Sequence, residues 1–144
     1  MTSRNLMWVR RGLVGVAAGV VLGYASALIS VGQCEVAAAG RVADELGDRD
    51  VFVLPVESAS IEYPGSEAIL RRSGFNVRAC NSSPQEFSCF PWAGVANGKV
   101  VYPFLVDVRW GFVAAPLDGW GTRTRYVTLF GLVIRVRDFG GWVT

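Results

Sequence analysis

The chain has 144 residues, 51% of them hydrophobic, and a formal net charge of +2. It contains no histidine, which removes the commonest general base and most transition-metal sites. The charge is uneven: residues 1–34 carry three arginines and no acid, residues 35–67 carry eight acids against two arginines, and residues 68–144 carry nine bases against four acids.

A charge-free apolar stretch from Gly12 to Val31 dominates the N-terminal part. At about 1.5 Å per residue, twenty helical residues reach about 30 Å, the thickness of a bilayer's hydrocarbon core. Arg10 and Arg11 precede the stretch and Glu35 follows it. Because positive charge stays on the cytoplasmic side, we predict a single-pass anchor in the cell membrane. Residues 1–11 would be cytoplasmic, and the chain beyond residue 31 would be extracytoplasmic, or periplasmic in a Gram-negative cell.

A cleaved signal peptide is the alternative interpretation of the same stretch. The small residues Ala25, Ser26 and Ala27 would allow cleavage after Ala27. The apolar character continues to Val31, which is longer than an ordinary signal core and favours the uncleaved anchor. Both interpretations place the rest of the chain outside the cytoplasm, so no nucleic-acid partner is expected.

Small residues recur every fourth position within the predicted anchor, at Gly15, Gly19, Gly23 and Ala27. At helical spacing they share one face, and a row of small residues lets a second helix approach closely. We therefore predict a helix–helix interface with a membrane-protein partner or a second copy of the chain. The alternative is chance, since the chain contains 17 glycines.

Residues 32–50 form a juxtamembrane segment in which Val36–Leu46 has helical periodicity, so the anchor can continue into one long helix. Three elements are predicted next. Residues 51–56 form a strand, a short helix Glu67–Arg72 is capped by Ser66, and Phe75–Cys80 alternates as a half-buried strand.

Cys80 and Cys89 bracket a polar loop and are predicted to form a disulfide in an oxidising compartment. For so short a loop the entropic stabilisation is about 2–3 kcal/mol. A metal site lacks ligands because the chain has no histidine and two thiolates do not complete a zinc shell. Cys34 is left over, either to cross-link two copies outside the membrane or to remain a buried thiol.

A long antiparallel hairpin is predicted for the C-terminal part. Asn97-Gly98 favours a tight turn, a strand runs from Val100 to Ala114, and the return strand runs to Arg137. The even positions of both strands are predicted to form the core face: Val100, Tyr102, Phe104, Val106, Val108, Trp110, Phe112, Ala114, Tyr126, Phe130, Leu132, Ile134 and Val136. Gly111 and Gly131 are predicted bulges.

The second face of this hairpin is apolar in its middle and carries arginines at its ends. Exposed apolar patches of this kind are typical of interaction sites. The candidate partner face consists of Val101, Leu105, Val127, Leu129, Val133 and Arg135.

These elements predict an α+β fold, with one N-terminal transmembrane helix followed by a small antiparallel-sheet domain over residues 51–144 with one or two short helices. No catalytic, cofactor-binding or metal-binding constellation is present in the sequence. Asp107 is expected to pair with an arginine across the strands and Asp118 to serve a turn.

The predicted function is a non-catalytic, membrane-anchored interaction or assembly module. A pilin-like subunit also starts with an apolar helix before a sheet, but the early apolar stretch here contains no acid. The alternative is a glycan or cell-envelope binding domain that uses Trp92, Trp120 or Trp142 for stacking.

Overall fold

The computed structural model of the protein describes residues 3–53, 63, 65–80, 89–115 and 118–143. Over these residues it is an α+β fold in which one long helix and one short helix accompany a mixed sheet. The elements in chain order are α1 (Ser3–Leu46), β1 (Asp50–Val53), α2 (Ser66–Arg72), β2 (Asn76–Ala79), β3 (Trp92–Val95), β4 (Lys99–Tyr102), β5 (Leu105–Ala115), β6 (Asp118–Leu129) and β7 (Leu132–Val143).

Helix α1 is continuous over 44 residues, which confirms that the predicted anchor, residues 12–31, and the segment after it can form one helix. It ends at Gly47, which has a φ of +69° and donates its N–H to the carbonyl of Ala43 at 2.9 Å. Glycine reaches this left-handed conformation without a Cβ clash. The helix is therefore stopped by its sequence at the point where β1 must begin.

The seven strands form one sheet in the order β2-β1-β3-β5-β6-β7, and β4 pairs with β5. Strand β1 is parallel to β2 and β3, whereas the other pairings are antiparallel. Since β6 occupies one side of β5, β3 and β4 lie end to end along its other side. The sheet is therefore organised around β5.

The core lies between the sheet and the two helices, which cover the same face. We call this the inner face of the sheet and the opposite one the outer face. The second half of α1 contributes Cys34, Ala38 and Val42 to the core, and α2 contributes Ile69 and Leu70. The sheet contributes Val51, Val77, Val95, Val106, Val108, Trp110 and Tyr126. Four of these, Val106, Val108, Trp110 and Tyr126, were predicted for the core face.

The predicted turn at Asn97-Gly98 is wrong. Strands β3 and β4, on either side of it, both pair with β5 rather than with each other. The chain reverses instead at Pro103-Phe104, where Phe104 has a φ of +63°. Residues 100–114 are consequently not one strand, and Tyr102 is 60% exposed rather than part of the core.

The predicted return strand is also two strands. A turn at Phe130-Gly131 separates β6 from β7 and pairs Leu129 with Leu132. Next to this turn, odd-numbered residues of β6 therefore lie opposite even-numbered residues of β7. Even-numbered residues face the core in β6, whereas odd-numbered residues face it at the start of β7. Leu132, Ile134 and Val136 are each more than half exposed, against the prediction that they are core. Gly131 serves this turn with a φ of +99°, and Gly111 pairs regularly with Gly121, so neither is a bulge.

The short helix α2 is confirmed, but its predicted cap is wrong. The N-cap residue is Gly65, in the left-handed conformation, without a side-chain cap. The Ser66 hydroxyl instead accepts a hydrogen bond from the backbone N–H of Val95 at 3.1 Å, which joins α2 to β3. The strand predicted from Val51 is observed as Asp50–Val53, and its predicted residues 54–56 lie outside the described residues.

Two glycines on α1 provide a matched test of this packing. A Cβ on Gly23 would lie 2.5 Å from the Cβ of Pro103, whereas one on Gly19 would meet nothing within 4 Å. Alanine favours a helix over glycine by about 1 kcal/mol at either position. We expect Gly23→Ala to lower the free energy of unfolding by about 1–3 kcal/mol through overpacking, as measured by thermal unfolding in detergent. Gly19→Ala should be neutral or stabilising, and equal effects of the two substitutions would contradict the packing described.

Candidate functional site

The predicted disulfide is confirmed: Cys80 and Cys89 are bonded, with their Cα atoms 5.7 Å apart. Cys80 follows β2 directly, and its N–H donates to the carbonyl of Val53 at 3.1 Å. The disulfide therefore joins the end of β2 to the segment just before β3. Residues 81–88, between the two cysteines, lie outside the described residues. No group of three or more potential metal ligands occurs among the described residues.

The first half of α1 contains an exposed apolar rod, residues 12–22, which follows Arg10 and Arg11. Every described side chain of residues 5–22 is exposed, including Leu13, Val14 and Val16, each at least 65%. Within the part of the chain that the structure describes, one helix, Asn5–Leu46, is long and apolar enough to cross a membrane. The structure therefore presents a membrane-anchor candidate that nothing in the described chain covers along residues 5–22.

The row of small residues is divided between two environments. Gly15 and Gly19 have no neighbour within 4 Å of an added Cβ and remain available to another helix. Gly23 faces the β4–β5 turn, and Ala27 is completely buried. Gly23 and Ala27 thus pack against the chain's own sheet and are not available to a second helix.

Three hydrogen bonds fasten the turns of the sheet to α1. The N–H of Phe104 donates to the carbonyl of Gly23 at 2.9 Å. The N–H groups of Phe130 and Gly131 donate to the hydroxyls of Ser26 at 2.8 Å and Ser30 at 2.9 Å. Because both serines are fully buried, these bonds satisfy backbone groups that water does not reach.

Glu35 marks the end of the charge-free part of α1. Its carboxylate accepts hydrogen bonds from Arg72 of α2 at 2.6 Å and from the N–H of Gly98 at 2.8 Å. The side chain is 8% exposed. Glu35 therefore joins α1, α2 and the β3–β4 connection at one point.

The outer face of the sheet is apolar towards the two turns. The exposed side chains there are Tyr102, Leu129, Phe130, Leu132 and Ile134, each between 54% and 60% exposed. We call these five residues the apolar tip. No charge occurs in the segments that form it, residues 100–106 and 126–134.

The predicted partner face is only partly one surface. Leu105 pairs with Val127 on the outer face, and Leu129 belongs to the apolar tip. Val101 lines the basic cleft that is described below. Val133 packs against the core, and Arg135 pairs with Asp138. The change of parity at Phe130-Gly131 places these last two towards the inner face.

A charged row crosses four strands above the apolar tip. Lys99, Asp107, Arg125 and Arg137 lie in direct register on β4, β5, β6 and β7. The predicted pairing of Asp107 is confirmed, because its buried carboxylate accepts two hydrogen bonds from Arg125, at 2.7 and 2.9 Å. That hydrogen bond raises the pKa of Arg125, which remains a cation.

A basic cleft of about 780 Å³ opens beside the charged row. Its charged side chains are Lys99, Asp107, Arg109 and Arg123, so cations outnumber anions. Phe139 forms one wall and lies beneath the guanidinium groups of Arg123, Arg125 and Arg137, 4.7–5.4 Å from its ring centre. The arrangement suits a negatively charged segment rather than a metal ion.

The tryptophans considered for stacking are less available than the sequence indicates. Trp92 is 7% exposed and makes an edge contact with Tyr63, and Trp120 stacks on Trp110 with ring centres 5.8 Å apart. The side chain of Trp142 lies outside the described part of the chain.

Cys34 is a buried thiol beneath the sheet. Tyr126 also belongs to the core, and its hydroxyl has no hydrogen-bond partner among the described residues.

Sequence reasoning missed Ser26, Ser30 and Phe139. The two serines resembled part of a signal-peptide cleavage region and an apolar helix, and their partners are 104 and 101 residues away. Only the helical spacing of four between them is a local signal.

Comparisons with protein-family models, with curated proteins and with solved structures find no match to this chain.

The buried position of Cys34 predicts slow alkylation of the folded chain. In detergent, iodoacetamide should modify Cys34 rapidly only after the chain has been unfolded, and Cys34→Ala shows any background labelling. Rapid alkylation of the native chain at neutral pH would contradict the buried position.

Proposed function

We propose that the protein is a membrane-anchored, extracytoplasmic interaction or assembly module without catalytic activity. The observation that carries this proposal is the division of α1. Its first half contains the apolar rod with exposed side chains, and its second half forms part of the core. An anchor built in this way positions the sheet rigidly with respect to the bilayer.

The orientation rests on charge and on the disulfide. Arg10 and Arg11 precede the rod, which favours a cytoplasmic N-terminus. The Cys80–Cys89 bond is typical of an oxidising compartment. Retention of the anchor is supported by burial of Gly23, Ser26 and Ala27, because cleavage after Ala27 would remove two of the contacts that hold the sheet turns.

Two surfaces are proposed for partners. In the membrane, Gly15 and Gly19 offer a close approach to a second copy or to another helix. Outside it, the basic cleft offers Arg109 and Arg123 to an acidic segment. The pilin-like alternative gains support from the continuity of α1 from rod to core, although the rod contains no acid. The glycan alternative is weakened by the burial of Trp92.

The location is tested on membranes of cells that express the full chain. We expect the protein to resist carbonate extraction and to keep its N-terminus, as read by intact mass. Thiol blocking before and after reduction should show Cys80 and Cys89 oxidised. A mature start at Leu28 would replace the anchored module by a secreted domain, and free thiols at both positions would place the domain in the cytosol.

Partner binding is tested by cross-linking in the membrane. We expect Gly19→Ile to lower the yield of cross-linked dimer or complex several-fold, because the bulky side chain separates the helices. Ala17→Ile on the opposite face is the matched control. Arg123→Glu should lower the yield of cross-linked complex, because it reverses a charge of the basic cleft. Arg78→Glu, at an exposed position of β2, should leave that yield unchanged. Unchanged products in both test variants would exclude these surfaces.

A further inference from the structure

The free length of the rod is too short to cross a bilayer alone. From Gly12, the first residue after the arginines, to Leu22, the last before the sheet contacts, there are eleven residues. They span about 16 Å as a helix, roughly half of a hydrocarbon core of about 30 Å. If Arg10 and Arg11 remain at the cytoplasmic surface, the outer half of the membrane must contain the next part of α1 together with the structure packed against it.

The next part of α1, residues 23–31, is covered on one side by the two turns of the sheet. Gly23 faces Pro103 and Phe104, and Ser26 and Ser30 bind the Phe130-Gly131 turn. The other side remains apolar and exposed, with Leu28 at 65% and Ile29 at 61%. Any bilayer that contacts Leu28 and Ile29 therefore also reaches the turns.

The charge-free region continues from the helix onto the sheet. On α1 it runs from Gly12 to Cys34, about 34 Å along the axis. It ends at Glu35, whose carboxylate binds the N–H of Gly98 at 2.8 Å, next to Lys99 of the charged row. The limits of the charge-free region on the helix and on the sheet thus coincide, and its length matches a hydrocarbon core.

Four backbone groups of the turns are paired within the protein, as lipid requires of any backbone group it surrounds. The N–H groups of Phe104, Phe130 and Gly131 are bound by α1. The Phe104 carbonyl accepts the N–H of Thr128 at 2.8 Å. At these positions α1 and β6 provide the partners that water would otherwise supply.

We propose that the apolar tip of the sheet inserts into the outer leaflet of the bilayer, with the charged row at the level of the lipid headgroups. Its ligand is a lipid surface, contacted by Tyr102, Leu129, Phe130 and Leu132. This rests on the proposed membrane anchor. The competing arrangement, with the tip in water, would draw Arg10 and Arg11 into the hydrocarbon, which is costly.

The test uses the full chain in liposomes with a polarity-sensitive fluorophore on single introduced cysteines. The positions are Leu132→Cys in the apolar tip, Val16→Cys in the rod and Asp118→Cys at the opposite end of β6 from the tip. Native Cys34 is buried and the other two cysteines are bonded, so the unsubstituted chain reports background labelling. Spin-labelled lipids quench from the membrane and iodide quenches from water.

We expect the Leu132 and Val16 probes to lose fluorescence with spin-labelled lipid and to resist iodide, while the Asp118 probe does the reverse. If the Leu132 probe responds to iodide as Asp118 does while Val16 still responds to lipid, the anchor stands and tip insertion is overturned. A Leu132 probe protected from both quenchers would mean that a second copy or another protein covers the tip, which also overturns it. Failure of the Val16 probe to respond to lipid would remove the anchor and tip insertion together.

Discussion

One helix has to satisfy two environments, and the rest of the structure depends on how it does so. Along residues 12–22 the side chains are exposed all round the helix, as an anchor surrounded by lipid would require. From Gly23 onward a stripe is buried at spacings of three and four, through Ala27, Ser30, Cys34 and Ala38 to Val42. Most members of this stripe are small, so β5 and β6 can approach the helix closely. The change from rod to core occurs within a single unbroken helix, and no hinge separates the anchor from the sheet.

Polar side chains set the position of the sheet along this helix. Apolar packing of small residues against a flat sheet tolerates sliding, whereas a hydrogen bond has one partner and a narrow range of distance. Ser26 and Ser30 each hold one N–H of the same turn, and Glu35 holds Gly98. These bonds lie at three successive levels of the helix. They fix which residues of α1 face the turns, and hence how far the rod extends beyond the sheet.

The sequence predicted well those features whose cause is local. The charge-free run identified the long helix, the spacing of Cys80 and Cys89 identified the disulfide, and the alternation of Val106, Val108 and Trp110 identified the inward face of β5. The turns were missed because their residues are unusual. Phe104 and Phe130 both have positive φ, which bulky residues rarely adopt, whereas Asn97-Gly98 has the composition of a tight turn and does not form one.

The reason for these unusual turns is long-range. Phe104 is held by Gly23 on one side and by Thr128 on the other, so contacts with α1 and β6 maintain its backbone conformation. A single missed turn then changes the parity of the following strand, which is why Leu132, Ile134 and Val136 were assigned to the core. The error in the partner face at Val133 and Arg135 has the same origin. Pairing register, rather than hydrophobic alternation, decided the orientation of β7.

The charge-free region shows why a hydropathy profile underestimates the apolar surface of this protein. Residues 12–34, 100–106 and 126–134 are separate in sequence and all lack charge. The fold brings them side by side, because β4, β5, β6 and β7 present their uncharged ends to the middle of α1. Only the first of these segments is long enough to predict a membrane span. The apolar surface is therefore shared between a helix and a sheet, and its upper limit is the level at which Glu35 meets the start of β4.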